Sequence, residues 1–184
     1  MDMPALAAAL PALGWAVHSG LLVHRLSSAR RDPLTGLHTR AGFAARAERI
    51  IARSPNALAV LVDLDDFKAI NDTRGHAAGD AVIAATASRL AAWCHQNGVA
   101  ARLGGDEFAA IVADPAATSG ITTLTRALHR PVIHDGRLVP VSASAGFCHL
   151  ADLPVRTLTD ALAAADAAMY VAKGRGRRNN TPRP

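Results

Sequence analysis

Apolar residues change their spacing several times along the chain, and each change marks an element. A helical pattern runs from about Thr39 to Arg53 and breaks at Ser54-Pro55-Asn56. Residues 57–63 then form an apolar run that ends in acid, the pattern of a buried strand. Gly79-Asp80 opens a second helical stretch, with Val82, Ile83, Thr86, Leu90 and Trp93 on one stripe down to Gly98. Residues 99–103 and 107–113 read as short strands around Gly104-Gly105, a tight hairpin. Residues 115–130 read as helix, and 131–134 with 137–147 as a second hairpin turning at Asp135-Gly136. A last helix is expected from about Thr157 to Lys173, with Leu158, Leu162, Ala165, Met169 and Ala172 on one face. The order predicts an α+β fold: an antiparallel-centred sheet with helices packed around it, which a split βαβ arrangement satisfies.

At 184 residues the chain fits one domain plus a short extension. Half of it is apolar and 19% is charged, which excludes a disordered or collagenous chain. Only 4% is aromatic, so the core must be aliphatic. The net charge of +5 resides in the tail, where Lys173, Arg175, Arg177, Arg178 and Arg183 stand without an acid. The basicity is therefore a tail and not a face, and no nucleic-acid partner is expected. Cys94 and Cys148 make neither a metal spacing nor a disulfide framework, which fits a reducing compartment.

Residues 3–23 carry no Asp, Glu, Lys or Arg, and Arg25, Arg30 and Arg31 follow. That length suits a membrane span whose positive flank keeps the remainder in the cytoplasm, anchored to the inner membrane. The stretch is mostly Ala with Pro4, Pro11, Gly14 and His18, which equally suits a soluble helix packing on a partner chain. Residues 1–31 are thus read as an apolar stem, either anchor or dimerisation element, residues 32–179 as the globular domain, and 180–184 as a disordered tail.

The candidate chemistry lies at two turns. The first strand delivers Asp63, Asp65 and Asp66 to its end, which is costly unless a cation or donors meet them. The Gly104-Gly105 hairpin brings Asp106 and Glu107. In such a sheet the two strands are neighbours, so Asp63 and Asp106 can face one another, and hard oxygen ligands suit Mg²⁺ or Mn²⁺ rather than zinc. Taken singly, each cluster is better explained as turn chemistry, since Asp and Gly are common turn residues.

Together the blocks resemble the GGDEF-domain diguanylate cyclase family. Arg102-Leu-Gly-Gly-Asp-Glu-Phe108 resembles its signature loop, and Asp32-Pro-Leu-Thr-Gly-Leu37 its opening block. Residues 63–80 resemble the metal- and base-binding block, and Ala165-Asp166 through Lys173 and Gly176-Arg177 the C-terminal block. The resemblance implies a ferredoxin-like, polymerase-palm-like fold of the nucleotidyl-cyclase type, acting as a homodimer that condenses two GTP into cyclic di-GMP and two pyrophosphates. It implies two Mg²⁺ or Mn²⁺ ions per active site, held by Asp63, Asp106 and the Leu64 carbonyl, with Asp106 or Glu107 helping to remove the 3′ proton. Gly104 and Gly105 would leave room for the nucleotide. Amides of Asp66, Phe67 and Lys68 would form a nest for phosphates, with Lys173 and Arg177 supplying charge. Lys68 and Lys173 are the two lysines among 20 basic residues, and both stand at the family's phosphate positions.

Asp80 resembles the guanine reader, with Asn71 beside it and His76 near; Asp80 would also serve as a helix N-cap, and His76 as a turn or packing residue. The family often carries an Arg-x-x-Asp product-inhibition pair five residues ahead of the signature. Here His95 and Gly98 stand in its place, so feedback binding of cyclic di-GMP at that surface is expected to be weak or absent. The rival reading is a catalytically silent GTP-binding scaffold, against which the retained acids and basic residues argue.

Overall fold

The structure, a computed structural model, describes residues 30–113 and 117–179, the side chains of 117–119 and 174–179 excepted. The expectations for the stem and for the tail beyond 179 lie outside the described residues.

A five-stranded sheet forms the middle layer. Its strands are β1 (His38–Thr39), β2 (Leu58–Leu64), β3 (Gly98–Gly104), β4 (Glu107–Val112) and β7 (Ala143–His149), in the spatial order β1-β3-β4-β2-β7. All contacts are antiparallel except that between the edge strand β1 and β3. Period-two alternation along β2 sorts its side chains between two cores. Leu58, Val60, Val62 and Leu64 pack with α3 (His76–Cys94) and α4 (Ala117–Leu128). Ala57 and Ala59 pack on the opposite face, with Phe43, Ala47 and Ile51 of α1 (Arg40–Arg53) and Ala161 and Ala165 of α5 (Leu158–Asn179). Both cores are mainly aliphatic, in keeping with the composition, and each holds one fully buried phenylalanine, Phe108 in the first and Phe43 in the second. Thr39 caps α1 by accepting from the Gly42 amide, and Thr157 accepts from the Asp160 amide at the start of α5.

The α+β fold with its antiparallel-centred sheet is as the sequence suggests, but three elements differ. A helix not anticipated, α2 (Phe67–Arg74), precedes α3; it has no fully buried residue, and only Phe67 and Ile70 rest half-buried on the core, an apolar face too short to betray it. The helix expected to open at Gly79-Asp80 begins at His76 instead, because Gly75 at φ 83° separates it from α2. Asp80 is consequently interior to α3 and does not cap it. The expected strand 137–147 is two strands. A small hairpin of β5 (Val132–His134) and β6 (Arg137–Val139) ends at Pro140, which cannot donate to a ladder, and β7 then joins the main sheet.

Among the described residues, no helix is long and apolar enough to cross a membrane.

Candidate functional site

The alternation that fills the cores also places Asp63. As an odd-numbered position of β2 it follows Ala57 and Ala59 onto the face of α1 and α5, at the end of the strand. In register it stands opposite Glu107 on β4 and Ser144 on β7. Like charges directly opposed across two strands destabilise a sheet, so this rung calls for a cation. Lys173 Nζ provides one, 2.6 Å from Asp63 Oδ1 and 3.9 Å from Asp65 Oδ1.

Lys173 reaches the site because α5 lies very close to β7. A Cβ at Gly146 would collide with the Ala165 carbonyl oxygen and with Met169. Ala161, Ala165 and Met169 form the buried stripe, and Lys173 extends it by one more turn, past the core edge.

Asp65 fastens the loop after β2. Its carboxylate accepts from Ser142 Oγ at 2.8 Å and Ser144 Oγ at 2.7 Å, and its amide donates to the Ser142 carbonyl at 2.9 Å. Asp66 follows in the left-handed conformation at φ 52° and turns the chain into α2. The amides of Phe67 and Lys68 lie in the first turn, where a helix offers no carbonyl to receive them. Lys68 is exposed, and Phe67 is half-buried against the core.

The glycine turn is held from behind. Arg102 donates through Nε and a terminal nitrogen to the Gly105 carbonyl at 2.9 and 2.7 Å, and through its other terminal nitrogen to Asp32 Oδ2 at 3.2 Å. Burial works against the Asp32 charge. The Thr35 hydroxyl and amide together with Arg102 outweigh it, and hold the carboxyl below its ordinary value. Gly104 and Gly105 have φ of 151° and 51°, which L side chains rarely adopt, and a Cβ at either would meet nothing within 4 Å. Backbone conformation requires the glycines, and the space over the turn is open.

The Leu64 amide donates to the Asp106 carbonyl at 3.3 Å, docking the acid-bearing turn on the end of β2. Asp106 is half-buried and Glu107 exposed; neither carboxylate makes a hydrogen bond or ion pair among the described residues. The register thus sets Glu107, not Asp106, directly opposite Asp63, with residue 106 beside Leu64.

Asn71, His76 and Asp80 gather where α2 meets α3. A Cβ at Gly79 would collide with Asn71 Oδ1, so Asn71 rests on α3 one residue before Asp80. Asp80 and His76 are exposed. Arg177 lies within α5, its side chain outside the described residues. His95 and Gly98 sit at the corner between α3 and β3, at the opposite end of β3 from the glycine turn, roughly 20 Å away.

No three His, Cys, Asp or Glu side chains converge as metal ligands among the described residues. What the end of β2 offers is a pair of carboxylates and a carbonyl, hard oxygen donors that suit Mg²⁺ or Mn²⁺ with phosphate oxygens filling the remaining positions. That Asp63 already holds an ammonium shows its demand for positive charge. The donor set fits a divalent ion. The roles of Asp65 and of the Arg102–Asp32 pair are not visible in spacing, since their partners lie 77 to 79 and 70 residues away.

The sequence model "Diguanylate cyclase, GGDEF domain" matches residues 29–179. A 19.3 kDa protein from Streptomyces ambofaciens, encoded 5′ of repSA, is 59% identical over 99% of both chains. Diguanylate cyclase TpbB of Pseudomonas aeruginosa PAO1 is 40% identical over 81% of this chain, which spans 36% of that protein's length. Among solved structures, a sensory box/GGDEF family protein of Caulobacter crescentus superposes with a TM-score of 0.72 at 36% identity, covering 80% of this chain and 99% of that one. The coiled coil and GGDEF domain of DgcB from the same organism, in complex with c-di-GMP, gives 0.76 at 28% identity over 96% of each. With a sheet of matching architecture, and with the acids of the signature turn docked on the end of β2, this chain belongs to the GGDEF family of diguanylate cyclase domains.

Proposed function

We propose that the chain is an active diguanylate cyclase, residues 32–179 forming its catalytic domain. Two such domains meet as a homodimer, each holding one GTP, and each 3′-hydroxyl attacks the α-phosphate of the opposite nucleotide. The observation that carries this is the rung at the end of β2, where Asp63 faces Glu107 and Leu64 is tied to residue 106.

The chain's residues have separable tasks. Asp63, Asp106 and the Leu64 carbonyl would hold two divalent ions. Bound there, such ions lower the pKa of the attacking hydroxyl and neutralise the departing pyrophosphate. Glu107 or Asp106 accepts the 3′ proton. Lys173 exchanges Asp63 for the phosphates, which Arg177 and the first-turn amides after Asp66 also meet. Asp80, with Asn71 packed beside it, accepts from the N1–H and N2–H₂ of guanine, whereas adenine presents an acceptor at N1 and is refused. His76 lines the base side. The open glycine turn leaves room for ribose and phosphate. Residues 1–31 serve as the stem that pairs or anchors the domains.

Incubating the full chain with GTP and Mg²⁺ tests this. The expected result is one cyclic di-GMP for every two pyrophosphates. A demonstrably dimeric sample that binds GTP without forming product would instead establish a silent scaffold.

A further inference from the structure

The acidic rung opens past the edge of the sheet. β7 is the last strand in the spatial order and pairs on one side with β2. A cavity of about 600 Å³ wraps its other side. Asp63, Asp65 and Asp66 line this cavity from β2 and the loop after it, and Lys173 lines it from α5. Thr125 and His129 close it from the opposite layer, at the C-terminal end of α4. Ser144, in register with Asp63, and Ala145, packed against the α3–α4 core, both stand in its wall. The cavity therefore reaches around β7 from one face of the sheet to the other.

Among the described lining residues, Lys173 and His129 are the two that can carry positive charge. Lys173 already holds Asp63. His129 Nδ1 lies 2.8 Å from the Thr125 carbonyl oxygen. A carbonyl only accepts, so Nδ1 carries its proton and Nε2 is the free ring nitrogen. Nε2 has no partner among the described residues. The same bond ties the ring to the backbone of α4, so a helix and not a loose loop sets where it stands. His129 follows Leu128, the last residue of α4, where the negative end of the helix favours an imidazolium.

In the proposed reaction the phosphates meet Lys173 and the first-turn amides after Asp66, so the end of the phosphate chain lies in this cavity. That terminal group carries the most charge, and beside three carboxylates it needs donors. We propose that His129 binds the terminal phosphate of the nucleoside triphosphate, donating from Nε2 across the edge of β7 while Lys173 meets the same group from α5. A phosphate dianion there holds the ring in its protonated form. The inference rests on the GTP reading of the site and adds to it a contact that separates a triphosphate from a diphosphate.

The test compares two analogues that cannot be cleaved at the α-phosphate, guanosine 5′-[α,β-methylene]triphosphate and the corresponding diphosphate. Each is titrated by calorimetry into the full chain with Mg²⁺ present, and the His129 ring nitrogens are followed by NMR. The parent should bind the triphosphate more tightly. His129→Ala, at an exposed position, should weaken the triphosphate about tenfold and the diphosphate by less than about twofold. His129→Arg should recover most of the loss. In the parent, the Nε2 signal should move to its protonated position with the triphosphate and not with the diphosphate. Equal weakening of both ligands, no weakening of either, or an Nε2 signal that stays in place would overturn this inference and leave the GTP reading standing. A parent chain that binds neither analogue would overturn both.

Discussion

Lys173 sits where two charges compete for it. It holds Asp63 at 2.6 Å, and in the proposed reaction it must meet phosphate instead. Lys173→Ala should therefore act with opposite signs on two ligands. Removing the ammonium frees a carboxylate oxygen, so Mn²⁺ binding to the nucleotide-free chain should tighten. Losing the phosphate contact should lower kcat/KM for GTP at least tenfold. Parallel loss of both would mean that the lysine only supports the fold. A second residue-scale effect belongs to Asp32, whose carboxyl is held below its ordinary value by Thr35 and Arg102 against the cost of burial. A folded-state value under the unfolded one, near 3.9, stabilises the protein above that pH. The contribution fades as pH falls through the folded value. Asp32→Asn should accordingly cost about 1 kcal/mol at pH 7, and the difference from the parent, measured by urea unfolding, should shrink below about pH 4.

At the scale of elements, the close approach of α5 to β7 sets how far Lys173 reaches. Gly146→Ala puts a methyl against the Ala165 carbonyl and Met169, backbone that cannot yield cheaply. It should destabilise the domain by about 1–3 kcal/mol and, where folded protein is recovered, lower kcat/KM through the displaced lysine. Unchanged stability would show that α5 adjusts freely. This contact illustrates what could be read from the chain alone. The acid-ended run at Asp63, the Gly104-Gly105 turn and the Met169 stripe were legible because they depend on local period and turn chemistry. The tightness at Gly146 was not, because it arises from two elements that meet only in the fold. The helix α2 escaped for the converse reason: with no fully buried residue and only Phe67 and Ile70 half-buried, its pattern is too short to carry a signal. Gly79 misled because a glycine that lets Asn71 pack closely looks, in sequence, like one that starts a helix.

For the whole molecule, the proposed reaction joins two nucleotides held by two chains, so its rate would depend on assembly. Specific activity should rise with protein concentration through the dimerisation range and then level off, with sedimentation reporting the dimer over the same interval. Constant specific activity across a range in which only monomer is detected would exclude the face-to-face arrangement. The account as a whole stands on acids from two chain segments sharing cations at the end of β2. Manganese paramagnetic resonance, counting ions bound per chain with a non-hydrolysable GTP analogue present, addresses this most directly. The account predicts about two bound ions per chain, falling below one in both Asp63→Asn and Asp106→Asn while each variant stays folded. Ion binding left intact by either substitution would contradict it.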